Sequence, residues 1–161
     1  MTFQKVFQKI TRSIFILFFV FSYSFQSNAQ VEFKINPPAA LFGFFQTSLE
    51  FPIGNDFGFE TELIFIAVDG DFGGGVLIHG KYYFNPDFGS DKIYIGIFSG
   101  GLGGEGEVFA AFGFEAGYKW LGKRNILFEI GGGLGRATAD IGVLPYGRLM
   151  LGYRFPKKEK K

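Results

Sequence analysis

The stretch Ala110-Ala111-Phe112-Gly113-Phe114-Glu115-Ala116-Gly117-Tyr118-Lys119-Trp120 sorts its residues onto two faces. Phe112, Phe114, Ala116, Tyr118 and Trp120 share one parity; Ala111, Gly113, Glu115, Gly117 and Lys119 share the other. Side chains alternate faces along a β-strand, so the stretch reads as a strand with one aromatic face and one small, charged face. A soluble barrel buries its apolar face and shows its charges to water. Here the apolar parity recurs on too many segments to be left in water, so the charged face is the one that must turn inward. That inversion is the pattern of a transmembrane β-barrel.

Working outward, turn-forming residues cut the chain into short alternating segments. Strands are expected at about 31–36, 40–52, 57–67, 73–84, 92–99, 107–120, 125–135 and 143–155. The breaks between them, such as Ile53-Gly54-Asn55-Asp56, Asp69-Gly70-Asp71 and Gly100 to Gly104, are rich in Gly, Pro, Asn or Asp, which supply the backbone angles turns need. Eight strands is the smallest common count for a closed bacterial membrane barrel. The fold expected is therefore all-β, an antiparallel eight-stranded transmembrane β-barrel. Its first strand is short against the 9–11 residues of a typical span, and Pro38–Phe42 reads alternatively as helical.

The N-terminus fits export. Lys5, Lys9 and Arg12 precede an apolar run from Ile14 to Phe25, and Ser27-Asn28-Ala29 follows. A basic region, a short apolar core and a small-residue cleavage site make a signal peptide, and the run is shorter than the ~20 residues of a membrane helix. The expected organisation is a signal peptide over 1–29, a barrel over 30–155 and a basic periplasmic tail over 156–161. Removing the three basic residues of the signal takes the formal net charge from +1 to −2. No basic stripe carries exposed stacking aromatics, so nucleic acid is not an expected partner. The chain has no cysteine, as suits a domain closed by hydrogen bonds rather than disulfides.

With the last strand ending at Phe155 on the periplasmic side, the turns at 53–56, 85–91 and 121–125 are periplasmic, and those at 68–72, 100–106 and 136–142 external. The lipid parity carries Phe45, Leu49, Phe65, Ile78, Ile95, Ile97, Phe128 and Leu151, with aromatics such as Tyr82, Trp120 and Tyr153 crowding the periplasmic ends as an interfacial belt. The opposite parity carries Glu32, Lys34, Glu50, Glu60, Glu62, His79, Lys81, Glu115, Lys119, Glu129, Arg148 and Arg154. Six acids face five bases and one histidine, and buried charges of both signs can pair. These residues are read as a structural charge network in the periplasmic half of the lumen. The outer half is apolar, through Phe42, Phe44, Ile66, Leu144 and Tyr146 among others, and Ile64, Leu77, Phe98 and Phe109 are its candidate pocket residues.

The segment Lys34-Ile35-Asn36-Pro37 soon after the signal, Leu49-Glu50-Phe51, and the closing Leu151-Gly152-Tyr153-Arg154-Phe155 resemble the small outer-membrane β-barrels of unknown function found in Bacteroidota. The resemblance covers about 30–155 and implies an outer-membrane location with no catalytic residues to carry over. A strand-final Phe resembles the signal read by the barrel-assembly machinery, although here Pro156 and a basic tail follow it. The implied partners are outer-membrane lipids and, during insertion, that machinery, with the barrel itself monomeric.

Catalysis and metal binding find little support. Ser–His hydrolysis needs an imidazole beside the hydroxyl, and the single histidine, His79, points by alternation into the charged lumen rather than toward acyl chains. The glycine run Gly131–Gly135 is not followed by the helix a nucleotide loop requires. Asp69, Asp71, Glu105, Glu107 and Asp140, opposed by Arg136, give the external rim an acidic character that divalent cations would bridge to lipid phosphates. No enzyme activity and no cofactor are expected. The leading reading is a plugged barrel with a structural or envelope-integrity role. The alternatives are a hydrophobic ligand or lipid held in the apolar outer half, a recognition surface, and a soluble periplasmic ligand-binding barrel.

Overall fold

The structure is a computed structural model that describes residues 30–68, 71–104, 107–138 and 142–156. The signal segment, the tail beyond Pro156, and Asp69, Glu105 and Asp140 of the expected rim lie outside the described residues. Eight strands follow in order: β1 (Val31–Ile35), β2 (Phe44–Ile53), β3 (Phe57–Val68), β4 (Asp71–Tyr83), β5 (Lys92–Gly104), β6 (Glu107–Leu121), β7 (Ile126–Ala137) and β8 (Val143–Phe155). One short helix, α1 (Pro37–Ala40), separates β1 from β2. Each strand pairs antiparallel with the next, and β8 returns to pair with β1, closing the barrel.

The near end carries the β2–β3, β4–β5 and β6–β7 turns together with Val31 and Phe155; the far end carries α1 and the opposite ends of β2 to β8. At the near end, Gly54 and Asn125 take the positive φ values their turns require, +66° and +61°. The glycines of Gly100–Gly104, expected to form a turn, do not turn at all. They continue β5 because β4 and β6 both offer partners, Gly73–Leu77 on one side and Glu107–Ala111 on the other. None of these glycines has a positive φ. In the opposite sense, β2 begins at Phe44 rather than near residue 40, since 37–40 is helical. Two prolines at the first positions of α1 pre-set φ, and the Asn36 side chain accepts a hydrogen bond from the Ala39 N–H at 3.3 Å.

Burial follows the alternation read from the sequence. On β6, Ala111, Gly113, Glu115 and Lys119 are buried while Phe112, Phe114, Ala116 and Trp120 are exposed. The same inversion runs round the barrel, with Phe45, Leu63, Ile78, Ile95, Ile130 and Leu151 outside and Glu50, Glu62, His79, Tyr94, Glu129 and Arg148 inside. Outward aromatics gather at the near end in edge and tilted pairs: Phe57 with Tyr82, Tyr82 with Phe84, Tyr118 with Trp120, Trp120 with Phe128, and Tyr153 with Phe155.

Glycine makes room for rings inside so narrow a cylinder. The Tyr94 ring lies against Gly117, where an added Cβ would sit 2.6 Å from it, and its hydroxyl lies over Gly131. Phe98 crosses the wall higher up, over Gly113 and Gly135, where a Cβ would lie 2.6 and 2.8 Å from the ring. Gly117→Ala is therefore expected to destabilise by about 1–3 kcal/mol through overpacking. Gly101→Ala, where an added Cβ meets nothing within 4 Å, should be close to neutral. Urea midpoints of the two variants, compared with the parent, check the contrast.

Candidate functional site

The near half of the lumen is filled by a single charge network. Direct cross-strand neighbours start from an unfavourable position, because the register sets Glu32 opposite Glu50 and Glu50 opposite Glu60. Like charges so placed repel, and the relief comes from across the barrel. Lys34 of β1 donates to Glu50 at 2.5 Å, to Glu60 at 2.6 Å and to Glu129 of β7 at 2.7 Å. Lys81 of β4 joins Glu60 at 2.6 Å to Glu129 at 2.7 Å. Lys119 of β6 bridges Glu32 and Glu50, both at 2.8 Å. Arg148 of β8 binds Glu60, lies 3.3 Å from Glu62 and 3.2 Å from Glu129.

Tyrosines knit into the same network. Tyr83 donates to Glu50 at 2.7 Å and Tyr94 to Glu129 at 2.8 Å. The Lys119 ammonium stands over the Tyr83 ring and Lys81 over Tyr94, 4.5 and 4.6 Å from the centroids. His79 sits at the upper edge, with Nδ1 3.0 Å from Glu115 and Nε2 3.6 Å from Glu62, the latter beyond hydrogen-bond reach. All the lumenal charges expected from the sequence, Glu50, Glu60, Glu62, His79, Lys81, Glu115, Lys119, Glu129, Arg148 and Arg154, together with Glu32 and Lys34, are buried inside.

The near end is closed by the β4–β5 loop. Ser90 donates from its N–H to Asn55 O at 2.7 Å and from its hydroxyl to Phe57 O at 3.2 Å. Asp91 accepts from the N–H groups of Asp87 and Phe88, at 2.8 and 3.1 Å. Arg154 then ties loop to network, binding Glu32 through Nε at 2.7 Å and the carbonyls of Phe88 and Ser90 at 2.7 and 3.3 Å. Alternation identified Arg154 as lumenal, but nothing in the spacing of 85–91 announced that the loop would fold across the opening.

The far end holds a recess of about 350 Å³. Ile64 and Leu77 line it as expected, but Phe98 and Phe109 do not. Phe98 is buried beneath the recess, with its ring 5.0 Å from that of Tyr146 and 5.9 Å from that of His79. The bare backbone of Gly113 and Gly135 lets the ring lie flat against the wall, so it fills the lumen instead of bordering a hole. Phe109 pairs with Leu102 near the start of β6 and is half-buried, outside the lining. Phe42, also expected inside, is largely exposed, because the turn after α1 carries it off the strand register. The lining comes instead from Phe44, Ile66, Leu102, Leu144, Pro145 and Tyr146, with Ala39 of α1. Leu102 was hidden in the supposed turn at Gly100–Gly104. A polar floor underlies the recess: Asn36 donates to Gln46, Gln46 to Glu62 at 2.6 Å, and Tyr146 to Glu62 at 2.6 Å.

Among the described residues, two clusters bring ligand atoms close enough together for a cation: the carboxylates of Glu50, Glu60 and Glu129, and those of Glu60 and Glu62 with the His79 imidazole. The first already holds the Lys34 and Lys81 ammonium groups and the second the Arg148 guanidinium, so protein cations stand where a metal ion would. Chemically the arrangement neutralises and cross-links. Compared with family profiles, curated proteins and solved structures, the chain matches none.

Removing one partner of a buried ion pair costs about 3–5 kcal/mol because a charge is stranded. Lys34→Met should cost that much in urea unfolding. Adding Glu60→Gln to it should recover part of the loss, since one surplus carboxylate then becomes an amide. Additive losses in the double variant would show that Lys34 and Glu60 act independently.

Proposed function

We propose that the chain is a small outer-membrane β-barrel, held in lipid by its outer wall and closed to flow, with a structural role in the cell envelope. The observation that carries the reading is the inversion of polarity. Lys34, Lys81 and Lys119 are buried, while Phe114 is 73% and Ile97 60% exposed at mid-strand. The largest apolar patch of a soluble monomer is about 300–600 Å², whereas here the apolar face runs round the barrel. Strands β3 to β8 have 12 to 15 residues, enough for the 9–11 of a tilted span. The near-end ring of aromatics suits a membrane interface, and the signal-like N-terminus suits export.

The filled lumen supports a non-conducting barrel. Eight strands leave an interior about wide enough for side chains alone, and the network and the β4–β5 loop occupy it. Such proteins resist unfolding by detergent, so unboiled and boiled samples should migrate differently in a denaturing gel, and the protein should fractionate with outer membranes. In planar bilayers it should give no steady open-channel steps. Recovery as a soluble periplasmic protein with no heat-dependent mobility would instead favour the soluble ligand-binding barrel.

A charge on the outer wall tests the same reading in a single position. Phe114→Arg would set a guanidinium at about mid-membrane, at a cost of about 2–4 kcal/mol, and should impair insertion. Glu129→Gln keeps a hydrogen-bonding amide in the network and should insert. Equal tolerance of both, scored by heat-dependent mobility, would refute the assignment of faces. A second reading, the holding of a hydrophobic ligand, is favoured by the far-end recess.

A further inference from the structure

The barrel wall is incomplete beside that recess. β1 ends at Ile35, so it pairs only with residues 151–155 of β8 and 47–50 of β2. The far half of β8, residues 143–150, has β7 on one side and no strand on the other. Proline, which has no N–H to give a ladder, is confined to such edges, and Pro145 stands in this half. What fills the gap is α1, a single turn that touches both β2 and β8. One backbone bond, Asn36 N to Gln46 O at 2.9 Å, continues the β1–β2 pairing past the end of β1.

The recess lies behind this seam. Ala39, Phe44, Ile64, Leu77, Leu144 and Pro145 line it, from the covering helix, from both edges of the gap and from the lumen wall. Its polar lining groups are already engaged: Asn36 donates to Gln46, and Gln46 and Tyr146 donate to Glu62 beneath, so none offers a free charge to a ligand headgroup. Outside the seam the apolar wall is continuous, with Ile35, Phe45 and Leu151 all exposed. The volume of about 350 Å³ falls at the low end of the 300–1,000 Å³ range of small-molecule sites.

From this geometry we infer that the recess receives one acyl chain of a membrane lipid, sideways through the seam between β2 and β8, with α1 as its cover. The inference rests on the membrane reading above. A hydrocarbon chain fits because the lining is apolar, the floor is saturated, and the site adjoins the face that meets lipid. The headgroup stays outside, in the interfacial layer at the far end.

The test uses the full protein reconstituted in phosphatidylcholine vesicles containing a phospholipid with a photoactivatable diazirine on one acyl chain. Labelled positions are read by mass spectrometry. Label is expected both on outward residues such as Phe114 and inside, on the segments around Phe44 and 144–147. Ala39→Trp, which adds bulk beneath the cover, should abolish the inner label and leave the outward label unchanged. Gly147→Phe serves as the second variant, because an added Cβ there meets nothing within 4 Å. Heat-dependent mobility establishes that each variant is folded. Label confined to the outer wall, or inner label unaffected in folded variants, overturns the acyl-chain site while leaving the membrane reading standing. Inner label obtained only with a diazirine fatty acid supplied from water overturns the membrane source. Failure of the protein to float with vesicles overturns the membrane reading and the inference with it.

Discussion

Everything in this molecule depends on neutralising carboxylates in a space too narrow for water to do it. Glu32, Glu50, Glu60, Glu62, Glu115 and Glu129 are buried in one lumen with Lys34, Lys81, Lys119, Arg148 and Arg154. An isolated charge moved from water into such surroundings carries a penalty of several kcal/mol even after relaxation. The barrel is stable only if the cations reach the anions with good geometry. Three lysines do so by spanning the lumen, each touching at least two glutamates. Because those contacts join β1 to β7, β4 to β7 and β6 to both β1 and β2, they also brace the cylinder across its diameter.

The polar interior determines the outer surface. With the charged parity committed inward, strand alternation forces the phenylalanines, isoleucines and leucines outward, and no second layer of structure among the described residues covers them. The same narrowness explains the pattern of glycines. Tyr94 and Phe98 can lie across the lumen only where Gly117, Gly131, Gly113 and Gly135 present bare backbone to their rings. Large and absent side chains thus belong to one packing solution.

The barrel is asymmetric about its length. Its near half is dense with ion pairs and sealed by the β4–β5 loop on Arg154. Its far half is apolar, holds the recess and has a wall one half-strand short. The shortness of β1 has a plain local cause: Pro37 and Pro38 lack the N–H groups that would extend the ladder, and they favour the first turn of a helix. A single dipeptide thereby converts a stretch of wall into a cover.

Much of this was legible in the linear chain. Period-two alternation, as in 110–120, defined the number of strands, their faces and every charged residue of the lumen, because the direction of a strand side chain depends only on its parity. What alternation lacks is any statement of partners. Whether a glycine run turns or extends depends on the neighbours it meets, so Gly100–Gly104 looked like a turn until β4 and β6 paired with it. The adverse row Glu32, Glu50, Glu60 arises only from register, and its relief by Lys34, Lys81 and Lys119 only from closure of the barrel. The recess depended on closure too: Phe98 left its lining, and Leu102, Pro145 and Ala39 joined it, because ring packing and the missing half of β1 are properties of the assembled cylinder. Parity along a strand is local and could be read from the residues alone; which side chains meet across a lumen is a distance, and only the closed fold decides distances.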